Sequence, residues 1–200
     1  MVILGLTGSI GMGKSTAAGM LRYLGVPVHD ADASVHHLMA PDGAAFEPII
    51  SAFPDVLQDG RIERQILGPI VFADSDALKC LEAILHPLVR DDENRFLRQN
   101  RLAQRSLVVL DIPLLFETAG EKRCDQVAVV SAPEFIQRQR VMARSGMTEA
   151  KFSAILAKQM PDREKRRKAD FIIPTGLGRA VTFATIRTIV DQLENRTRHA

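Results

Sequence analysis

The chain has 200 residues, 46% apolar and 25% charged, with 26 Lys and Arg against 24 Asp and Glu for a net charge of +2. This is the composition of a globular chain with one substantial core, and it excludes a disordered chain, a collagen-like repeat and a disulfide scaffold. The near-neutral balance also excludes the overall basic field that drives nucleic-acid binding.

Val2-Ile3-Leu4-Gly5-Leu6-Thr7 is a short apolar run stopped by glycine, the signature of a buried parallel strand. A helix is predicted from Lys14 to Leu24, with Gly25 as its C-terminal stop. Val26-Pro27-Val28-His29 reads as a second strand, and Pro27 points to a sheet edge or a strand start. From Ala33 to Arg105 the pattern is helical, broken at Pro41, Pro48, Pro54, the Asp59-Gly60 turn and Pro69. Pro87 is expected to break or kink its helix. Leu107–Leu110 and Val127–Val130 are further buried strands, and a basic helical region follows from Pro133 to Lys168. Phe171–Ile173 is a last strand and Arg179–Leu193 a last helix.

Strands alternating with helices predict an α/β fold: a three-layer parallel-sheet core with an inserted helical domain and a lid. The expected core is 1–33 with 105–200, the lid is 134–168 within it, and the insertion is 34–104.

Cys80 and Cys124 form no C-x-x-C pair and have no His cluster beside them, so they read as reduced thiols. Apolar runs fall far short of the ~18–20 residues that span a bilayer. Met1–Leu6 precedes the first basic residue, Lys14, the reverse of a signal peptide. A cytoplasmic, unprocessed protein is expected, with no membrane, nucleic-acid or obligate protein partner.

Gly8-Ser9-Ile10-Gly11-Met12-Gly13-Lys14-Ser15 fits G-x-x-x-x-G-K-[ST] between a predicted strand and a predicted helix. Glycines let backbone N–H groups approach phosphate oxygens, Lys14 reaches the β- and γ-phosphates, and Ser15 ligates Mg²⁺. The helix that opens there turns its positive end to the same anion. ATP contacts are assigned to Gly8, Gly11, Met12, Gly13, Lys14, Ser15 and Thr16. Asp111 ends an apolar run and is a second candidate Mg²⁺ ligand.

No N-K-x-D guanine motif is present, which argues against a GTPase and for a small-molecule kinase. Asp30 and Asp32 follow the second strand, where a carboxylate can take the proton of an attacking hydroxyl or cap the next helix. Arg140 and Arg144, four apart, are read as one helix face of a lid whose guanidiniums meet phosphate. The run Arg163, Lys165, Arg166, Arg167, Lys168 is expected to be a solvated face. Residues 134–170 hold ten basic and five acidic groups, net +5, against two basic and six acidic, net −4, in residues 1–60.

Taken together, Gly8–Thr16, Asp30-Ala31-Asp32 with His36, His86-Pro87-Leu88-Val89-Arg90, Asp111-Ile112-Pro113-Leu114-Leu115-Phe116-Glu117, Gln137–Arg144, Gln159-Met160-Pro161 and Ala169-Asp170 resemble the dephospho-CoA kinase family. The resemblance implies ATP-dependent phosphorylation of the 3′-hydroxyl of the ribose in dephospho-CoA. It implies that Asp32 is the catalytic base and that Lys14 and Arg140 stabilise the transferring phosphate. It also places Asp30, His36, His86, Arg90, Leu114, Leu115 and Glu117 at the acceptor, with Arg144 at ATP. Pro174 stands where many members carry an acidic or amide residue. Two other readings share the phosphate loop: a kinase for another small acceptor, and an ATP-binding regulator without catalysis.

Overall fold

The structure, a computed structural model, describes residues 1–198, with side chains as far as Asn195; positions 199–200 of the expected core lie outside the described residues. In chain order it contains β1 (Val2–Thr7), α1 (Lys14–Tyr23), β2 (Val28–Asp30), α2 (Ala31–Leu38) and α3 (Phe46–Ala52). The short strands β3 (Leu57–Gln58) and β4 (Arg61–Ile62) follow, then α4 (Arg64–Ala73) and α5 (Ser75–Leu102). The remainder is β5 (Leu107–Asp111), β6 (Gln126–Ser131), α6 (Glu134–Met142), α7 (Glu149–Ala157), α8 (Asp162–Lys168), β7 (Phe171–Pro174) and α9 (Arg179–Arg198).

Five strands form one sheet in the order β2-β5-β1-β6-β7. β1 pairs in parallel with β5, Leu4 opposite Val109, and with β6, Leu6 opposite Ala128; β6 pairs in parallel with β7. Pro27 precedes the edge strand as expected: it has no N–H to give, and its carbonyl accepts from Val109 N at 2.9 Å. Both faces of the sheet are covered, which is why its strands read as continuous apolar runs. On one face, Leu4, Leu6, Val109 and Val130 pack with Ala17 and Leu21 of α1 and Ile186 and Leu193 of α9. On the other, Leu115 and Cys124 lie so close to Gly5 that a Cβ there would sit 2.9 and 2.8 Å from them. One connection runs from β1 to β2 on one side of the sheet, and another runs from β5 to β6 on the far side of β1. The loops at its carboxyl end therefore lie at a topological switch point, where open α/β sheets bind ligands.

The chain divides into two compact units, residues 1–29 with the chain from 100 onward, and residues 30–99. The second unit has its own core of Leu38, Ile49, Val56, Leu67 and Val71. Three expectations in it are corrected. Asp59-Gly60 does not merely interrupt helices; it joins β3 to β4, with both residues left-handed (φ 47° and 73°), the geometry of a two-residue hairpin turn. Helix α4 runs through Pro69, and α5 runs unbroken from Ser75 to Leu102 through Pro87. Each proline removes one helical hydrogen bond. Burial of Leu67 and Val71 in α4, and of Leu81, Leu85, Leu88 and Val89 against the same core from α5, keeps the helix on both sides. The basic region 133–168 is helical as expected, in three pieces, α6, α7 and α8. Among the described residues no helix is long and apolar enough to cross a membrane.

Candidate active site

The segment between β1 and α1 is shaped by its backbone. Gly11 and Gly13 have φ of 77° and 90°, a region that L side chains rarely occupy. At Gly11 a Cβ would also meet Val141 at 2.6 Å and the Gln137 carbonyl at 2.9 Å. Gly13 caps α1 with no side-chain bond, so the first N–H groups of the helix stay available to an anion. The Ile10 peptide is gripped from both sides: its N–H donates to Gln159 Oε1 at 3.0 Å, and its carbonyl accepts from Gln137 Nε2 at 2.8 Å.

Lys14 Nζ donates to Asp111 Oδ1 at 2.5 Å. Asp111 is 1% exposed, so this carboxylate at the end of β5 gives the loop lysine a close, desolvated counter-charge. Ser15 and Thr16 are exposed on the first turn of α1. A cavity of about 430 Å³ opens beside the loop, lined among others by Ser9, Met12, Gln137, Gln159 and Met160.

Arg140, near the C-terminal end of α6, reaches back to the loop. Its Nη2 donates to the Thr175 carbonyl at 2.6 Å, and its Nη1 lies 3.2 Å from Thr175 Oγ1 and 3.4 Å from the Gly11 carbonyl. Arg144 does not share its helix face. α6 ends at Met142, so Arg144 lies past the cap residue Ala143 and is exposed. The i,i+4 argument requires a helix that continues. Arg138 instead pairs with Glu149 at the start of α7.

Segment 159–168 departs most from expectation. Arg163, Arg166, Arg167 and Lys168 are exposed, but Lys165 is fully buried, which corrects the reading of the whole run as solvated. Its Nζ lies 2.9 Å from Glu117 Oε1, which also accepts from Met160 N at 2.7 Å. Burial works against the Glu117 charge, but the hydrogen bonds from Lys165 and Met160 and the Lys165 charge together outweigh it. They hold this carboxyl below its ordinary range. Ser131 Oγ donates to Asp162 Oδ2 at 2.7 Å.

The Asp111–Glu117 stretch therefore divides by use. Asp111 meets Lys14 and Glu117 meets Lys165. Leu114 is exposed, whereas Leu115 is wholly buried against Gly5 and has only its backbone to offer a ligand. In the second unit, Asp30 caps α2, accepting from Ala33 N at 3.0 Å. Asp32, one residue into that helix, is exposed and has no hydrogen-bond partner among the described residues. The two acids thus separate into a cap and an available carboxylate. His36 Nε2 lies 2.5 Å from Arg64 Nη1. His86 and Arg90 are exposed on α5.

Sequence reasoning missed Arg64, Thr175 and Lys165 as members of these clusters. Only the family resemblance, which put Arg140 at the transferring phosphate, hinted at a partner near the loop.

The family model described as dephospho-CoA kinase matches residues 2–177. A dephospho-CoA kinase of Mesorhizobium japonicum is 56% identical over 196 residues, 98% of each chain. One of Paramagnetospirillum magneticum is 65% identical over 166 residues, covering 83% of this chain and 78% of that one. The solved dephospho-CoA kinase from Campylobacter jejuni superposes with a TM-score of 0.72 at 28% identity, over 96% of this chain and 97% of the other.

Proposed function

Because the chain belongs to the dephospho-CoA kinase family and phosphorylates dephospho-CoA with ATP in the last step of coenzyme A synthesis, we propose that the acceptor is the ribose 3′-hydroxyl and that Asp32 receives its proton. The hydroxyl oxygen forms a bond to the γ-phosphorus, the bond from phosphorus to the β,γ-bridging oxygen breaks, and ADP leaves with that electron pair. Asp32 suits the base because its carboxylate is exposed and engaged in no hydrogen bond, while its neighbour Asp30 does the capping.

The observation that carries the reading is the loop itself. Two of its glycines are left-handed, its lysine is held by a buried carboxylate, and Arg140 is anchored to its rim. Gly8, Gly11, Met12, Gly13, Lys14, Ser15 and Thr16 hold the ATP phosphates in this proposal, and Arg144 joins them. Lys14 and Arg140 stabilise the charge spread over the transferring group. The Ser15 hydroxyl and the Asp111 carboxylate are hard oxygen donors of the kind that Mg²⁺ takes, together with phosphate and water. When bound, Mg²⁺ supplies neutralisation of the β- and γ-phosphate charge.

Residues 34–104 form the acceptor-binding domain in this reading, and 134–168 the lid. The His36–Arg64 pair suits the diphosphate of the acceptor, with His86, Arg90, Leu114 and Glu117 in elements that serve the same substrate. A cytoplasmic location belongs to the same reading, in which Cys80 and Cys124 are thiols.

The experiment measures ADP release with ATP and Mg²⁺, with and without dephospho-CoA, and with AMP as control acceptor. ADP that depends on dephospho-CoA, with CoA formed in equal amount, is expected. ADP only with AMP overturns the acceptor assignment. Asp32→Asn is expected to lower kcat about 100- to 10,000-fold with ATP affinity unchanged. Loss of ATP affinity with transfer intact overturns the base assignment.

A further inference from the structure

Arg140 is tied to the phosphate loop through one threonine. Thr175 follows β7 directly and is 6% exposed. Its hydroxyl donates to the Met12 carbonyl at 2.6 Å and its N–H to the Ser131 carbonyl at 2.9 Å. Thr175 Oγ1 and its carbonyl then receive the Nη1 and Nη2 groups of Arg140. Thr175 also packs against the cap of α1, where a Cβ on Gly13 would come within 3.2 Å of Oγ1. One residue, by side chain and main chain together, thus joins the loop, the ends of two strands and the guanidinium.

The geometry of the guanidinium makes this more than packing. Arg carries five N–H donors in a rigid plane. Three serve Thr175 Oγ1, the Thr175 carbonyl and the Gly11 carbonyl, all from the two terminal nitrogens. The Nε–H and one Nη2–H have no partner among the described residues. A grip through the end edge leaves the Nε–H and the Nη2–H beside it, the side-edge pair that binds a phosphate in bidentate fashion. An arginine fixed at its end edge and open at its side edge is oriented before the anion arrives. Electrostatic stabilisation is strongest when the donors need no reorganisation.

We propose that Thr175 is a positioning residue for the phosphoryl transfer: it sets the Arg140 guanidinium against the phosphate loop so that its open edge meets the transferring group. This rests on the assignment of Arg140 as a phosphate-stabilising cation. The alternative is a threonine that only holds β7 to β6 and to the loop.

The test compares Thr175→Val, which keeps the shape and removes the hydroxyl, with Thr175→Ser, which keeps the hydroxyl. Each is made in the wild-type and Arg140→Ala backgrounds. kcat and both KM values are read from dephospho-CoA-dependent ADP release per mole of folded enzyme, with the folded fraction taken from a thermal melt. Thr175→Ala replaces Thr175→Val if the valine variant does not fold. Thr175→Val is expected to lower kcat about tenfold with KM for dephospho-CoA within about twofold, and Thr175→Ser to restore kcat to within about threefold. In the Arg140→Ala background Thr175→Val is expected to change kcat less than about twofold, because its effect passes through the missing guanidinium. An unchanged kcat in Thr175→Val, or the same fall in both backgrounds, overturns the positioning role. A normal kcat in Arg140→Ala alone overturns the assignment of Arg140 instead.

Discussion

The phosphate loop and segment 159–168 are held to the same sheet by opposite means. The loop is secured by main chain: left-handed glycines, carbonyls that accept from Gln137, Arg140 and Thr175, and an N–H taken by Gln159. Its one charged side chain, Lys14, has its ammonium at Asp111 and stands 16% exposed, near enough to water for phosphate to replace that partner. The segment is secured by charged side chains that reach inward, Lys165 to Glu117 and Asp162 to Ser131. Similar ion pairs therefore do different work. The pair at the mouth of a ligand site keeps a cation available, whereas the pair under a helix acts as a fastener.

The sharpest way to break that distinction is to replace each lysine. Lys14→Arg, which keeps a counter-charge for the buried Asp111 carboxylate, is expected to lower kcat about 100- to 1,000-fold while the thermal midpoint stays close to wild type. A protein that unfolds instead would show Lys14 to be a fastener as well. Lys165→Met should do the reverse. It leaves the partly buried Glu117 carboxylate without its counter-charge and is expected to cost about 1–3 kcal/mol in denaturant unfolding, with kcat per folded molecule within about threefold of wild type. Adding Glu117→Gln to Lys165→Met should recover part of that loss, because the orphaned charge is then gone.

Acid provides a milder test of the fastener. The folded Glu117 carboxyl lies below its ordinary 4.5, so its stabilisation is complete above that pH and is lost as pH falls through the folded value. The stability gap between wild type and Glu117→Gln is expected to be constant from pH 6 to 8 and to narrow below about pH 4.5. A gap that widens in acid would reverse the assignment. The smallest effect should come from Arg138→Ala at the exposed pair with Glu149, about 0.5 kcal/mol or less, and it should fade in high salt.

The loop was legible in the sequence because its partners are neighbours in the chain. Gly11, Gly13, Lys14 and Ser15 lie within five positions, and a strand before and a helix after them complete the device. The sheet was legible for a similar reason: strands covered on both faces are apolar throughout, and Pro27 marked the edge. The same reasoning misplaced Arg144 and Lys165. Periodicity assigned Arg144 to a helix that stops at Met142, since spacing does not reveal where a cap intervenes. A run of five cations is ordinarily solvated, and nothing within it marks Lys165 as the buried one.

By itself the amino-acid sequence determined an α/β nucleotide-binding chain with a phosphate loop, an acidic pair after its second strand and the family to which these belong. Each of those features rests on local order and on residues close together in the chain. Tertiary structure alone decided that Glu117 meets Lys165, 48 positions on, and that Thr175 joins Met12 to Arg140 across 163 and 35 positions. Such contacts depend on strand order and on how deeply each helix buries its face, and both are set by the packing of the whole core.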